Sequence, residues 1–381
     1  MNPTRQCGKQ TVVHPNRLAV LKQILIRALM MFCSISICTV AVTHAQSAPS
    51  KVPVNTTAQE PGSPRCVKLT LAVALAQGQA ANSQISGELC LPLSGQADVV
   101  QVAVHGATYD HRYWNWPQQP LVYSYASFMT RAGYAVFEYD RIGDGLSSHP
   151  SSTDISVTEG AYVAHQVVQA LRSGQLGGYT FKRVLAVGHS LGSYITIQEA
   201  GTYKDVDALI VTGIAHAFNA GALPTLGADL YPAQLDPAFS DLGLDAGYLT
   251  TVPNTRGLLF YNKATADPAV IAYDESTKQT TTATELAVLE EPSAASPYAY
   301  ASQIQVPVLL VDGQTDLAFC QGSSICSNAA TLKAAEDPFY SPAAKLQTFV
   351  VPFTGHDINL HVTAPVWYGV ALGWAISTVG L

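Results

Sequence analysis

Charge is scarce in this chain: Asp, Glu, Lys and Arg make up 12% of its 381 residues, against 48% apolar residues. So little charge beside so much apolar material excludes disorder over most of the length and predicts a large buried core. Acidic residues are missing altogether from the first 45 positions, which carry Arg5, Lys9, Arg17, Lys22 and Arg27 before an uncharged run from Ala28 to Thr43. That run falls short of the roughly 20 residues a spanning helix needs. It ends at Thr43-His44-Ala45, a small-x-small site. The order of basic region, short apolar region and small residues predicts a secretory signal peptide over 1–45, cleaved after Ala45. The expectation is a secreted or periplasmic protein with no stable membrane span once the signal is gone.

Other absences narrow the function. No glycine-rich phosphate loop or dinucleotide fingerprint occurs, which argues against a nucleotide cofactor. Losing the five basic residues of the signal leaves fifteen against 27 acidic ones, a net charge of about −12. Such a surface repels phosphate backbones and excludes nucleic acid as a partner. Of seven cysteines, Cys66, Cys90, Cys320 and Cys326 remain in the mature chain. An even number in an exported protein predicts disulfides, and loop length favours Cys66 with Cys90 and Cys320 with Cys326. On the chain-entropy model these are worth about 3 and 2 kcal/mol. Free buried thiols are the alternative; zinc fits less well, because there is no C-x-x-C pair and no histidine beside these cysteines.

Residues 46–64 are rich in Pro, Ser and Thr, lack periodicity and read as a flexible tail. From Val67 the pattern changes. Runs at 67–75 and 83–92 suggest an opening antiparallel pair, and runs at 99–106, 134–140, 184–188, 206–213, 307–313 and 346–352 suggest buried strands. Helices are expected at about 121–132, 157–173, 191–203, 326–336 and 364–378. Strands alternating with helices predict an α/β fold with a mostly parallel, doubly wound sheet over 65–381. The segment at about 217–303 has no strand rhythm and is too long for a plain loop, so it reads as a helical cap insertion.

One short sequence carries chemistry. Gly188-His189-Ser190-Leu191-Gly192 follows an apolar β run and precedes a helix-compatible one. A serine on so sharp a strand-to-helix turn needs glycine two places to either side, stands clear of the sheet, and has the Leu191 N–H beside it to donate to an oxyanion. A hydroxyl nucleophile needs a base and the base needs an orienting acid. His356 follows the last expected strand, on a loop opening at Gly355, whereas His361 reads as a surface or packing histidine. Asp312 lies at the end of the strand that closes near Gly313, and Asp316 lies just beyond it. Asp316, farther along the loop, is favoured.

With Ser, Asp and His in that order, the chain resembles the α/β-hydrolase superfamily, and within it the serine esterases and lipases, over residues 65–381. The resemblance implies an α/β-hydrolase fold and a triad of Ser190, Asp316 and His356. It places the second oxyanion donor after the third strand, in Val104-His105-Gly106-Ala107-Thr108, at the N–H of Ala107 or Thr108. The turn Asp140-Arg141-Ile142-Gly143-Asp144-Gly145-Leu146-Ser147 is similar to the family's D-x-R-G-x-G-x-S turn, but with its arginine one place early, and it reads as structural. Serine rather than aspartate at the nucleophile position excludes the dehalogenases and epoxide hydrolases of the superfamily. The implied mechanism needs no cofactor and no metal.

The expected activity is therefore an exported serine hydrolase of carboxylic esters acting on a small-molecule ester. A peptidase, lactonase or acyltransferase uses the same triad, and a binding protein can keep the fold without turnover. Tyr109, Tyr113, Trp114 and Trp116, close to the oxyanion segment, are expected either to pack under the cap or to meet an apolar or aromatic group of the substrate.

Overall fold

The computed structural model describes residues 64–381 except 217, 220 and 291–296. The expected signal peptide at 1–45 and nearly all of the tail at 46–64 lie outside the described residues.

Eight strands form the main sheet: β1 (Arg65–Val73), β2 (Ser83–Leu91), β3 (Val99–Val104), β4 (Ala135–Tyr139), β5 (Arg183–His189), β6 (Ala208–Thr212), then β10 (Val308–Gly313) and β11 (Gln347–Val351). Their order is β1-β2-β4-β3-β5-β6-β10-β11. β1 and β2 form the expected antiparallel pair, β2 meets β4 antiparallel, and every later pairing is parallel. Cys66 stands opposite Cys90 in the β1–β2 register and the two are disulfide-bonded, as are Cys320 and Cys326.

The parallel strands lack polar alternation because both faces are covered. Val100, Val102, Val184, Ala186, Leu209 and Leu310 pack against helices Val157–Ser173 and Leu191–Tyr203. The alternate residues Val99, Ala103, Leu185, Val187, Ile210 and Val311 pack against helices Tyr125–Ala132 and Ala364–Val379. Period-two alternation thus divides one apolar run between two cores. The helix at 157–173 is bounded by its caps: the Ser156 side chain accepts from the Thr158 N–H, and Gly174 leaves the helix in the left-handed conformation. The expected helix at 121–132 divides into Pro120–Tyr123 and Tyr125–Ala132 at Ser124, whose extended backbone lets its side chain cap the second piece.

Between β6 and β10 the expected helical insertion does contain short helices, the longest Pro268–Ser276. It also carries a small antiparallel sheet of β7 (Leu230–Pro232), β8 (Tyr248–Thr251) and β9 (Thr281–Thr282). Strands of two to four residues are too short to display alternation, which is why the sequence concealed them. Among the described residues no helix is long and apolar enough to cross a membrane.

Candidate active site

Parallel strands that run the same way place their following loops along one edge of the sheet, where α/β folds hold their ligands. Ser190 follows β5, Asp316 follows β10, His356 follows β11 and the His105–Thr108 segment follows β3.

Ser190 lies between the strand and the buried helix Leu191–Tyr203, with φ 51° and ψ −119°. A non-glycine residue with positive φ is costly, about 1–3 kcal/mol, and persists only where its surroundings enforce it. Here they do: the Ser190 N–H donates to the Thr212 carbonyl at 2.8 Å, and its own carbonyl accepts from the Ser193 N–H at 2.8 Å. The flanking glycines are required by close approach. A Cβ on Gly188 would overlap Thr196 and the Gly192 carbonyl, and one on Gly192 would overlap the Val104 carbonyl at the end of β3.

Asp316 and His356 meet. His356 Nδ1 is 2.7 Å from Asp316 Oδ2, while Asp316 Oδ1 accepts from the Ala318 N–H at 2.7 Å. Asp312 instead accepts from the Ile214 N–H at 2.9 Å, so of the two carboxylates the structure brings Asp316 to the histidine. Burial lowers the His356 pKa, but the charge and hydrogen bond of Asp316 outweigh it and the net shift is upward. The Cys320–Cys326 bridge closes the loop beyond Asp316, and the Asp316 carbonyl accepts from the Cys320 N–H at 2.9 Å. No hydrogen bond joins Ser190 Oγ to His356 among the described residues. The two are neighbours through His189, whose ring centre is 4.9 Å from that of His356.

Of the expected oxyanion donors, Thr108 requires correction. Its N–H already donates to the Thr280 carbonyl of the insertion at 3.0 Å, and its carbonyl accepts from the Gln279 N–H at 3.0 Å. The strand-like pairing with the insertion, invisible in the sequence, consumes this donor. Ala107 and Leu191 make no backbone hydrogen bond through their N–H groups among the described residues. Gly106 brings the segment against the turn, since a Cβ there would come within 3.1 Å of Ser190 Cβ.

The four aromatic residues pack. Trp114 meets Tyr125 edge-on and is fully buried; Trp116 meets Tyr273 of the insertion; Tyr113 stacks on His189 at 4.3 Å; Tyr109 lies under the Arg256 guanidinium at 4.2 Å. The apolar rings that do approach His356 are Phe260 at 5.8 Å and Phe319 at 6.1 Å, with Phe218 edge-on to Phe319. Phe319 stood in the sequence three places after Asp316; Phe260 gave no signal. The Asp140–Ser147 turn is structural as read. Asp140 accepts from the Leu146 and His111 N–H groups, and buried Arg141 pairs with Asp144 at 2.7 Å and with Glu285 of the insertion. His361 is a buried packing residue: its Nε2 accepts from the Asn262 N–H at 3.0 Å and the Gly355 N–H at 3.2 Å.

The model of the alpha/beta hydrolase family matches residues 101–367. Among solved structures the chain is similar to a monoglyceride lipase variant from Saccharomyces cerevisiae (14% identity, 87% of this chain and 99% of that one, TM-score 0.55). It is also similar to a putative lipase from Acinetobacter baumannii (13%, 97% and 99%, 0.56) and a thermostable carboxyl esterase from Bacillus coagulans (16%, 82% and 99%, 0.55). At such identities the likeness is one of fold. No curated protein matches the chain by sequence.

Proposed function

The chain belongs to the alpha/beta hydrolase family, and from that membership we propose that it is an exported serine hydrolase of carboxylic esters. The observation that carries the proposal is the 2.7 Å contact of His356 Nδ1 with Asp316 Oδ2 on the sheet edge that also bears Ser190. Ser190 Oγ attacks the ester carbonyl as His356 Nε2 takes its proton. Asp316 accepts from Nδ1–H, which fixes the tautomer and stabilises the imidazolium. The oxygen that gains the charge faces the N–H groups of Leu191 and Ala107, each worth about 100- to 1,000-fold in rate. His356 then protonates the departing alcohol, and water repeats the sequence on the acyl-enzyme.

Phe260 and Phe319 beside the base, with Phe218 against Phe319, support an apolar acyl or alcohol group. The packing of Trp114 and Trp116 removes the sequence-based reason to expect an aromatic one. Two disulfides accord with export to an oxidising compartment. A fluorophosphonate probe should label the protein and fail on Ser190→Ala, whose ester turnover should fall on the order of 10⁴-fold or more. Absence of labelling would leave a non-catalytic binding protein of the same fold. A panel of esters, amides and lactones, run on the native enzyme, separates the esterase from the peptidase and lactonase.

A further inference from the structure

A second acid–histidine pair lies directly behind the first. His189 precedes Ser190 in the chain and Asp357 follows His356, and the two side chains meet at 3.3 Å between His189 Nε2 and Asp357 Oδ1, both fully buried. The hydrogen bonds around them determine where the proton sits. The Thr212 hydroxyl donates to the Gly188 carbonyl at 3.0 Å, because a carbonyl can only accept. With the single hydroxyl proton on that carbonyl, Thr212 Oγ1, 3.0 Å from His189 Nδ1, accepts there and Nδ1 carries hydrogen; this assignment is part of the proposal. A neutral His189 so arranged presents a bare lone pair at Nε2, and the atom facing it must be a donor.

We propose that Asp357 is a neutral carboxylic acid that donates to His189 Nε2, and that this pair ties the turn bearing Ser190 to the loop bearing His356. The proposal rests on the catalytic roles given above to Ser190 and His356. The remaining contacts fit a protonated acid. Asp357 Oδ2 is free to accept from Tyr109, whose hydroxyl also lies 3.0 Å from Asp274 Oδ2. That hydroxyl has one proton, and Asp274 does not depend on it: Asp274 Oδ2 accepts from Arg256 Nε and the Tyr261 hydroxyl, each at 2.9 Å, and Oδ1 from Arg256 Nη2 at 2.8 Å.

The electrostatics agree. Burial and repulsion from Asp274 push Asp357 up to about 7, against the pull of His356 and Arg256. Burial, then the neighbouring His356 and His105, hold His189 well below the ordinary histidine range. Keeping His189 uncharged matters, because an imidazolium 4.9 Å from His356 would oppose the positive charge that ring acquires during turnover. Its stack against Tyr113 completes the restraint. His189 and Asp357 are positioning residues: they touch neither nucleophile nor substrate, but they set where His356 stands relative to Ser190.

Two measurements test this. In ¹⁵N-histidine-labelled native protein, the His189 ring, assigned by its loss in His189→Gln, should show a protonated Nδ1 and an unprotonated Nε2. A His189 protonated at Nε2, whether or not Nδ1 is protonated too, overturns the proposal, and this readout needs no turnover. In ester hydrolysis, Asp357→Ala should lower kcat on the order of 10²-fold with little change in KM, the scale of a misplaced base. Asp357→Asn, whose amide still donates to Nε2, should recover at least about tenfold of that loss. An asparagine variant no better than alanine, or an alanine variant with native kcat, overturns it. If Asp357→Ala does not fold, Asp357→Asn against native enzyme and the nitrogen spectrum still decide. Failure of fluorophosphonate labelling would remove the hydrolase reading while leaving the spectrum to decide the proton.

Discussion

Strand β10 buries Val308, Leu309, Leu310 and Val311 against apolar side chains on its two faces, whereas the insertion just before it buries charge. Arg256 pairs with Asp274 at 2.8 Å, Lys278 with Asp236 at 2.7 Å, and Glu285 with Arg141 of the sheet domain. Apolar packing is tolerant, since one aliphatic residue replaces another at small cost. Buried ion pairs are not, since removing one partner leaves an uncompensated charge. The sheet thus has a robust frame that fixes the order of its loops, and the insertion has a few specific pairs that fix its own shape and, through Glu285 and Arg141, its grip on the sheet domain.

The largest expected effect breaks one of those pairs. Arg256→Ala should cost about 3–5 kcal/mol in urea denaturation, because Asp274 loses its bidentate partner, and Asp274→Ala added to it should return part of the loss. Ile210→Val in the sheet should cost only about 0.5–1.5 kcal/mol. Equal costs would erase the distinction. Next in size, Cys320→Ser with Cys326→Ser should lower stability by about 2 kcal/mol. If that bridge stiffens the loop holding Asp316, ester turnover should fall as well, and unchanged turnover would confine it to stability. The smallest effect is one of pH. In the proposed reaction His356 acts as a base only when neutral, and its pKa is shifted upward, so kcat/KM should rise with pH through a limb above the ordinary histidine value of about 6.5. Asp316→Asn should move that limb down, since it removes the charge that raises it. A limb that ignores Asp316 would separate His356 from the sheet-edge site.

The same contrast explains what was legible beforehand. The helices at 157–173 and 191–203 were read to the residue, the first because its Ser156 and Gly174 caps are local signals, the second because it begins where the Ser190 turn ends. The places of Ser190, Asp316 and His356 were legible because a parallel sheet converts chain order into position along one edge; their roles belong to the proposal. The disulfide partners followed from loop length. The network behind the site was not legible. Arg256, Asp274, Tyr109 and Asp357 are spread over nearly 250 positions, and nothing in any one of them announces the others. Thr108 was misjudged for the same reason, as its N–H is taken by Thr280, far along the chain. Trp114 and Trp116 were ambiguous because an aromatic ring beside a site and one beneath it look alike in sequence.

The backbone at Ser190 also limits which chemistry this edge of the sheet can ever host. A β-branched residue at φ 51° carries more steric strain than an unbranched one, so the turn disfavours threonine relative to serine or cysteine, although Thr108 shows that this chain does bear such strain at φ 62°. Among hydroxyl and thiol nucleophiles the turn therefore favours the unbranched ones, a bias set by main-chain shape before any substrate arrives.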